Sequence, residues 1–195
     1  MNILAHALLA APDDDRIFGS LIGDFVRGAI DPALPSGVRE GIVLHRAIDT
    51  YTDAHPEIAA ARPLFEPPFR RYAGIMLDMW FDHLLAREWR HYGDGALDDF
   101  SRRVRSLLDS RRTLVPARMH GFVAYLHAHD LPAAYRDTPV IGEALGGISS
   151  RLTRPNPLRD ALPVLVALDA ELQARFDRFF PQLHAFARMQ IDRRS

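Results

Sequence analysis

The sequence predicts an all-α fold, a single compact multi-helix domain over residues 1–195. Three observations predict it. Apolar residues recur at helical period along most of the chain, and the two-residue alternation of strands is nearly absent. Proline, glycine and aspartate punctuation cuts the chain into helix-length pieces. The composition, 48% apolar and 25% charged, is that of a globular domain large enough to bury a substantial core.

In order along the chain, residues 2–11 read as a short apolar helix that ends at Pro12, and the Asp13–Asp15 run caps the next. Residues 16–29 form a second helix, 31–37 a loop and 38–52 a third helix. Pro56 suits the first position of a helix over 56–65. A long helix is expected at 69–91, then helices at 96–112, 116–129, 132–150 and about 160–192. Pro181 should kink or break the last of these, and Gly146–Gly147 reads as a turn or helix break. Thr153–Pro157 is a loop. No repeat or linker divides the chain.

Composition removes several chemistries. There is no cysteine, so disulfides, thiolate nucleophiles and Cys-ligated zinc are out. There is no lysine, so no Schiff-base lysine, and every basic side chain is a guanidinium fork suited to phosphate. A net charge of −1 provides no general attraction to nucleic acid. The apolar start, MNILAHALLA, lacks a basic flank and is too short to span a bilayer. A cytoplasmic protein with no membrane or nucleic-acid partner is expected.

The chemistry-bearing residues are isolated ionisable groups in apolar helices. In residues 73–86, AGIMLDMWFDHLLA, eleven of fourteen residues are apolar or glycine, and the exceptions are Asp78, Asp82 and His83. A helix apolar on nearly all sides is buried, and a buried carboxylate must be paired or bound to a metal. In GIVLHRAIDTY, His45 and Asp49 lie four apart on one face. Asp24 is the only charge in IFGSLIGDFV, and His6 is the only ionisable side chain in NILAHALLAA. Singly, each reads as a hydrogen-bonded core residue, a helix cap, a salt bridge or a polar stripe. Jointly they point to a shared metal centre of His and carboxylate ligands. A non-catalytic helical scaffold in which Asp and His pair with Arg is the rival reading.

The segments MNILAHALLA, GSLIGDFVRG, GIVLHRAIDTYTDAHPE and RYAGIMLDMWFDHLLAREW resemble the acyl carrier protein phosphodiesterases across about the first 90 residues. Weaker agreement continues through Tyr135–Asp137, Gly147–Arg151 and RFDRFFPQL. The resemblance implies hydrolysis of the phosphodiester that joins 4′-phosphopantetheine to a serine of holo-acyl carrier protein. It also implies a divalent ion, Mn²⁺ first, with Mg²⁺, Fe²⁺ or Zn²⁺ as alternatives, and an HD-domain-like helical fold. The HD enzymes carry a His-Asp doublet, whereas this chain has the reverse order, Asp82–His83. On this basis His6, Asp24, Asp82 and His83 are the leading expected metal ligands, with His45 and Asp49 as further ligands or as partners that orient them. Asp24, Asp78 and His45 are the expected catalytic groups. Arg27, Arg46, Arg70 and Arg71 are expected to bind substrate, and Arg102–Arg105 to help dock the acidic carrier protein. A nucleotide phosphohydrolase of HD type would use the same ligand types.

Overall fold

A computed structural model describes residues 2–193. Among them are eleven α-helices joined by 3₁₀ turns and loops, with no strand. The helices are α1 (Ile3–Ala10), α2 (Asp14–Ile22), α3 (Ser36–Ala54), α4 (Pro56–Ala61), α5 (Ala73–Arg87), α6 (Trp89–Tyr92), α7 (Leu97–Ser110), α8 (His120–Ala128), α9 (Thr138–Arg151), α10 (Leu162–Ala167) and α11 (Asp169–Asp192). No helix of the described residues is long and apolar enough to cross a membrane.

Helix α5 is the centre of the core. Trp80, Phe81, Leu84 and Leu85 are buried, as the apolar pattern requires. The helix packs against α1, α9 and α11. Phe81 meets Phe176 and Phe179 of α11 at centroid separations of 5.3 and 5.9 Å, edge-on and tilted. Helices α2 and α3 form the most extensive pair, and glycine makes it possible. A Cβ at Gly41 would lie 2.2 Å from the Arg16 carbonyl oxygen, and one at Gly19 would lie 2.0 Å from that of Val38. The obstacle is backbone, which cannot swing aside. Gly41→Ala is therefore expected to destabilise the fold by about 1–3 kcal/mol, read as a lowered urea midpoint at unchanged m-value.

Several helices are shorter than the periodicity suggests. The helix expected over 16–29 stops at Ile22, tightens into a 3₁₀ turn at Gly23–Phe25, and becomes extended at Val26. Arg46 secures this exit by donating to the carbonyls of Val26 and Gly28 at 2.8 and 2.9 Å. The 69–91 helix begins with a 3₁₀ turn at Arg70–Tyr72 and breaks at Glu88. The 132–150 helix is a 3₁₀ turn at Ala133–Arg136, an extended Asp137, and then α9. Pro139, in the first turn of α9, explains that restart, because its missing N–H costs nothing there.

Two expected breaks are absent from the helices of the described residues. Helix α11 runs through Pro181. Pro181 is exposed, so the carbonyl it leaves without an intrahelical donor lies on the wet side, while Phe179, Phe180 and Leu183 bury the other. Gly146 and Gly147 lie inside α9 and break nothing.

Candidate metal centre

The site assembles from the three N-terminal helices. The first turn of α1 is capped twice. Asn2 Oδ1 accepts from the Ile3 amide at 2.8 Å. The two Asp82 oxygens, reaching from α5, accept from the Leu4 and Ala5 amides at 2.7 and 3.1 Å. One residue later comes His6, buried. Ser20 of α2 ties the next joints. Its hydroxyl donates to the His6 carbonyl at 3.1 Å, and its carbonyl accepts from His45 Nδ1 at 2.8 Å. Gly23 admits the His45 ring, since a Cβ there would lie 2.3 Å from it. The His6 and His45 rings stack at 3.9 Å, 19° from parallel.

Asp49, one turn after His45 on α3, closes the cluster. Its Oδ1 is 3.1 Å from His6 Nε2 and its Oδ2 is 3.1 Å from His45 Nε2. Asp24 Oδ1 approaches His45 Nε2 at 3.2 Å from the exposed 3₁₀ turn. Donor atoms of His6, His45 and Asp49 all lie within 4.8 Å of one another. Two ligands about 2.1 Å from one ion stand roughly 3 to 4 Å apart, so the spacing is compatible with a divalent ion.

The protonation pattern tests the fit. A carbonyl only accepts, so His45 Nδ1 carries a hydrogen and Nε2 faces two carboxylates. With a bare lone pair that contact is repulsive, and a positive charge at Nε2 relieves it. Burial pulls the His45 pKa down, but hydrogen bonds to Asp24 and Asp49 outweigh it and push it up to about 9. Burial, then the charge on His45, lowers His6 to about 4. Burial would raise Asp49, yet its bonds to both histidines hold it far below the usual range. The hydrogen bond from His45 lowers Asp24. The pocket therefore favours a cation, and its nitrogen and carboxylate donors suit Mn²⁺, Fe²⁺ or Zn²⁺.

The cluster opens on a cleft of about 520 Å³. Asn2, His6, Ser20, Asp24 and His45 line one side. Phe25, Phe122, Arg118 and Arg151 complete it.

Other sequence-predicted residues lie elsewhere. Asp82 is fully buried, and its oxygens accept from the α1 amides, so it caps that helix and lies outside the convergent group. Burial pushes its pKa up to about 7 against the pull of those two bonds. His83 points to the other side of α5. Its Nδ1 donates to the Tyr135 carbonyl at 2.7 Å, and it is outside the convergent group. Asp78 is partly buried on α5 and also outside that group. Burial first, then the charges of Asp49 and Asp53, raise its pKa.

Arg46 is spent on the Val26 and Gly28 carbonyls, and Arg27 is exposed but does not line the cleft. Arg70 donates to the Phe65 and Pro63 carbonyls, and Arg71 is exposed beside it. Arg102, Arg103 and Arg105 are paired with Asp99, Asp14 and Asp130. Sequence reasoning missed Ser20, Arg118 and Arg151. Ser20 and Arg151 carried a signal, as members of the GSLIGDFVRG and Gly147–Arg151 segments; Arg118 carried none.

A helical fold that gathers two imidazoles and a carboxylate, with both imidazoles lining an open cleft, has the makings of a hydrolase site compatible with a divalent ion. The comparisons with known proteins narrow that class. The family model described as acyl carrier protein phosphodiesterase matches residues 1–183. A protein of that name from Enterobacter sp. (strain 638) is 36% identical over 184 residues, covering 94% of this chain and 95% of its own. Namesakes from Escherichia coli O157:H7 and Shigella boydii serotype 18 are each 37% identical over 188 residues, covering 96% of this chain and 97% of theirs. No solved structure matches the chain. The chain belongs to the acyl carrier protein phosphodiesterase family.

Proposed function

We propose that this protein hydrolyses the phosphodiester between 4′-phosphopantetheine and the carrier serine of holo-acyl carrier protein, using a divalent ion held by His6, His45 and Asp49. Water adds to phosphorus, the bond from phosphorus to the serine oxygen breaks, and that oxygen leaves with a proton. The products are apo-carrier protein and 4′-phosphopantetheine. The single observation that carries the reading is the convergence of those three side chains, two of which, His6 and His45, line an open cleft, in a chain matched over nearly its whole length by this family.

The ion, Mn²⁺ first, supplies positive charge against the phosphodiester and makes water a stronger nucleophile near neutral pH. The protein's own groups do the rest. The Ser20 carbonyl fixes the His45 tautomer and aims Nε2 at the cluster. Asp49 spans both imidazoles and sets their separation. Asp24 is the exposed carboxylate of the group, placed to take a proton from the entering water.

The reaction is followed as conversion of holo- to apo-carrier protein by mass spectrometry. Chelator-treated enzyme is expected to be inactive, and added Mn²⁺ to restore turnover together with release of 4′-phosphopantetheine. An enzyme equally active after exhaustive metal removal, or inactive on holo-carrier protein with every divalent ion, would overturn the proposal.

A further inference from the structure

Two arginines stand at the cleft that the hydrolytic reading does not yet use. Arg118 sits on the 3₁₀ turn Ala117–Met119, and Arg151 is the last residue of α9. Both line the cleft together with His6, His45 and Asp24. They come from elements other than α1–α3, so they face the cluster from outside it. Among the arginines of the described residues, these two line the cleft, and several others are held in ion pairs. Arg102, Arg103, Arg105, Arg111, Arg136 and Arg175 all have carboxylate partners. No carboxylate among the described residues pairs with Arg118 or Arg151. Arg118 donates instead through its guanidinium to the carbonyl of Phe25, the residue after Asp24.

The charge balance explains why such groups are needed. Asp24 and Asp49 put two carboxylates against His45, and a single divalent ion only offsets them. A phosphodiester monoanion entering the cleft then needs further positive charge, and guanidinium forks match its oxygens in pairs. Next to Arg118, the Phe25 and Phe122 rings stack with centroids 6.0 Å apart, an apolar wall suited to an uncharged chain attached to that phosphate.

We propose that Arg118 and Arg151 are the phosphate-reading pair of this cleft, gripping the non-bridging oxygens, and that the Phe25–Phe122 wall takes the uncharged pantetheine arm. This rests on the hydrolytic reading above. A charge-assisted hydrogen bond to phosphate is worth about tenfold to a hundredfold in affinity.

The test uses purified, Mn²⁺-loaded full-length enzyme with holo-carrier protein as substrate and free 4′-phosphopantetheine as a competing product. Arg118→Gln and Arg151→Gln are each expected to raise KM and to weaken 4′-phosphopantetheine inhibition by a similar factor, with a smaller change in kcat and unchanged Mn²⁺ affinity. Lysine at either position should recover only part of the loss, because an ammonium lacks the fork. Phe122→Ala should weaken inhibition by 4′-phosphopantetheine but not by inorganic phosphate. Arg159→Gln, exposed and away from the cleft, is the control.

If wild type hydrolyses the carrier and both glutamine variants keep its KM and its product inhibition, the assignment is wrong. It is also wrong if KM rises while 4′-phosphopantetheine inhibition stays fixed, since the arginines would then read the carrier's surface. Inactive wild type would instead overturn the hydrolytic reading, which separates the two failures.

Discussion

Asp49→Ala is expected to lower holo-to-apo conversion about a thousandfold at saturating carrier protein. The carboxylate contacts both imidazoles, Nε2 of His6 through one oxygen and Nε2 of His45 through the other. Its loss removes an anionic donor and the element that spaces the two histidines. A bound ion stabilises transition-state charge by several kcal/mol, and each 1.4 kcal/mol is a factor of ten in rate, so loss of a properly held ion projects to about three decades. Asp24→Ala should cost less, about a hundredfold, the low end of the range for a group that takes a proton. Asp24 is largely exposed and meets only His45 of the pair. Calorimetric Mn²⁺ titration should separate the variants in the same order, and far-UV circular dichroism should show the same helix content in all. Asp49→Ala with wild-type Mn²⁺ affinity and rate would place the ion elsewhere.

The helical class and the buried character of α5 were legible because a one-dimensional pattern encodes them. The pairing of His45 with Asp49 was legible for the same reason, since a four-residue step places both on one helix face. His6 was legible as the only ionisable group of an apolar helix. What the pattern does not encode is which side of a fully buried helix faces which neighbour. Asp78, Asp82 and His83 project from α5 at different angles, and every side of that helix is covered. Whether each side chain meets the cluster, the α1 amides or the Tyr135 carbonyl depends on packing between segments about fifty to eighty residues apart. Asp82 and His83 face different partners, the α1 amides and the Tyr135 carbonyl. The substrate-side arginines were missed for the same reason. Arg27 and Arg46 are next to the motifs in sequence, yet Arg46 is used to hold the loop after Asp24. Arg118 and Arg151 arrive from far along the chain.

The role found for Asp82 leads to the second large effect, on stability. Asp82→Ala leaves the Leu4 and Ala5 amides without their acceptors at a position with no solvent exposure. A buried donor stripped of its partner costs about 1–3 kcal/mol, so two of them project to roughly 2–5 kcal/mol. For a chain of this size that is a fall in Tm of roughly 5–15 °C. Asp82→Asn should fall between alanine and wild type. Its carbonyl can still accept from one amide, while its NH₂ meets the other donor head-on.

The destabilisation should also reach the metal site, because the amides that Asp82 caps stand one and two residues before His6 on the same helix. At temperatures where Asp82→Asn is fully folded, its Mn²⁺ affinity should drop. An equally destabilised Phe176→Leu provides the comparison, because the Phe81 and Tyr92 rings that Phe176 packs against belong to α5 and α6 and not to α1–α3. Equal Mn²⁺ affinity in the two variants would mean that Asp82 supports only the fold. Lower affinity in Asp82→Asn alone would show that one buried carboxylate holds the helix and, through it, the angle at which His6 meets the cluster.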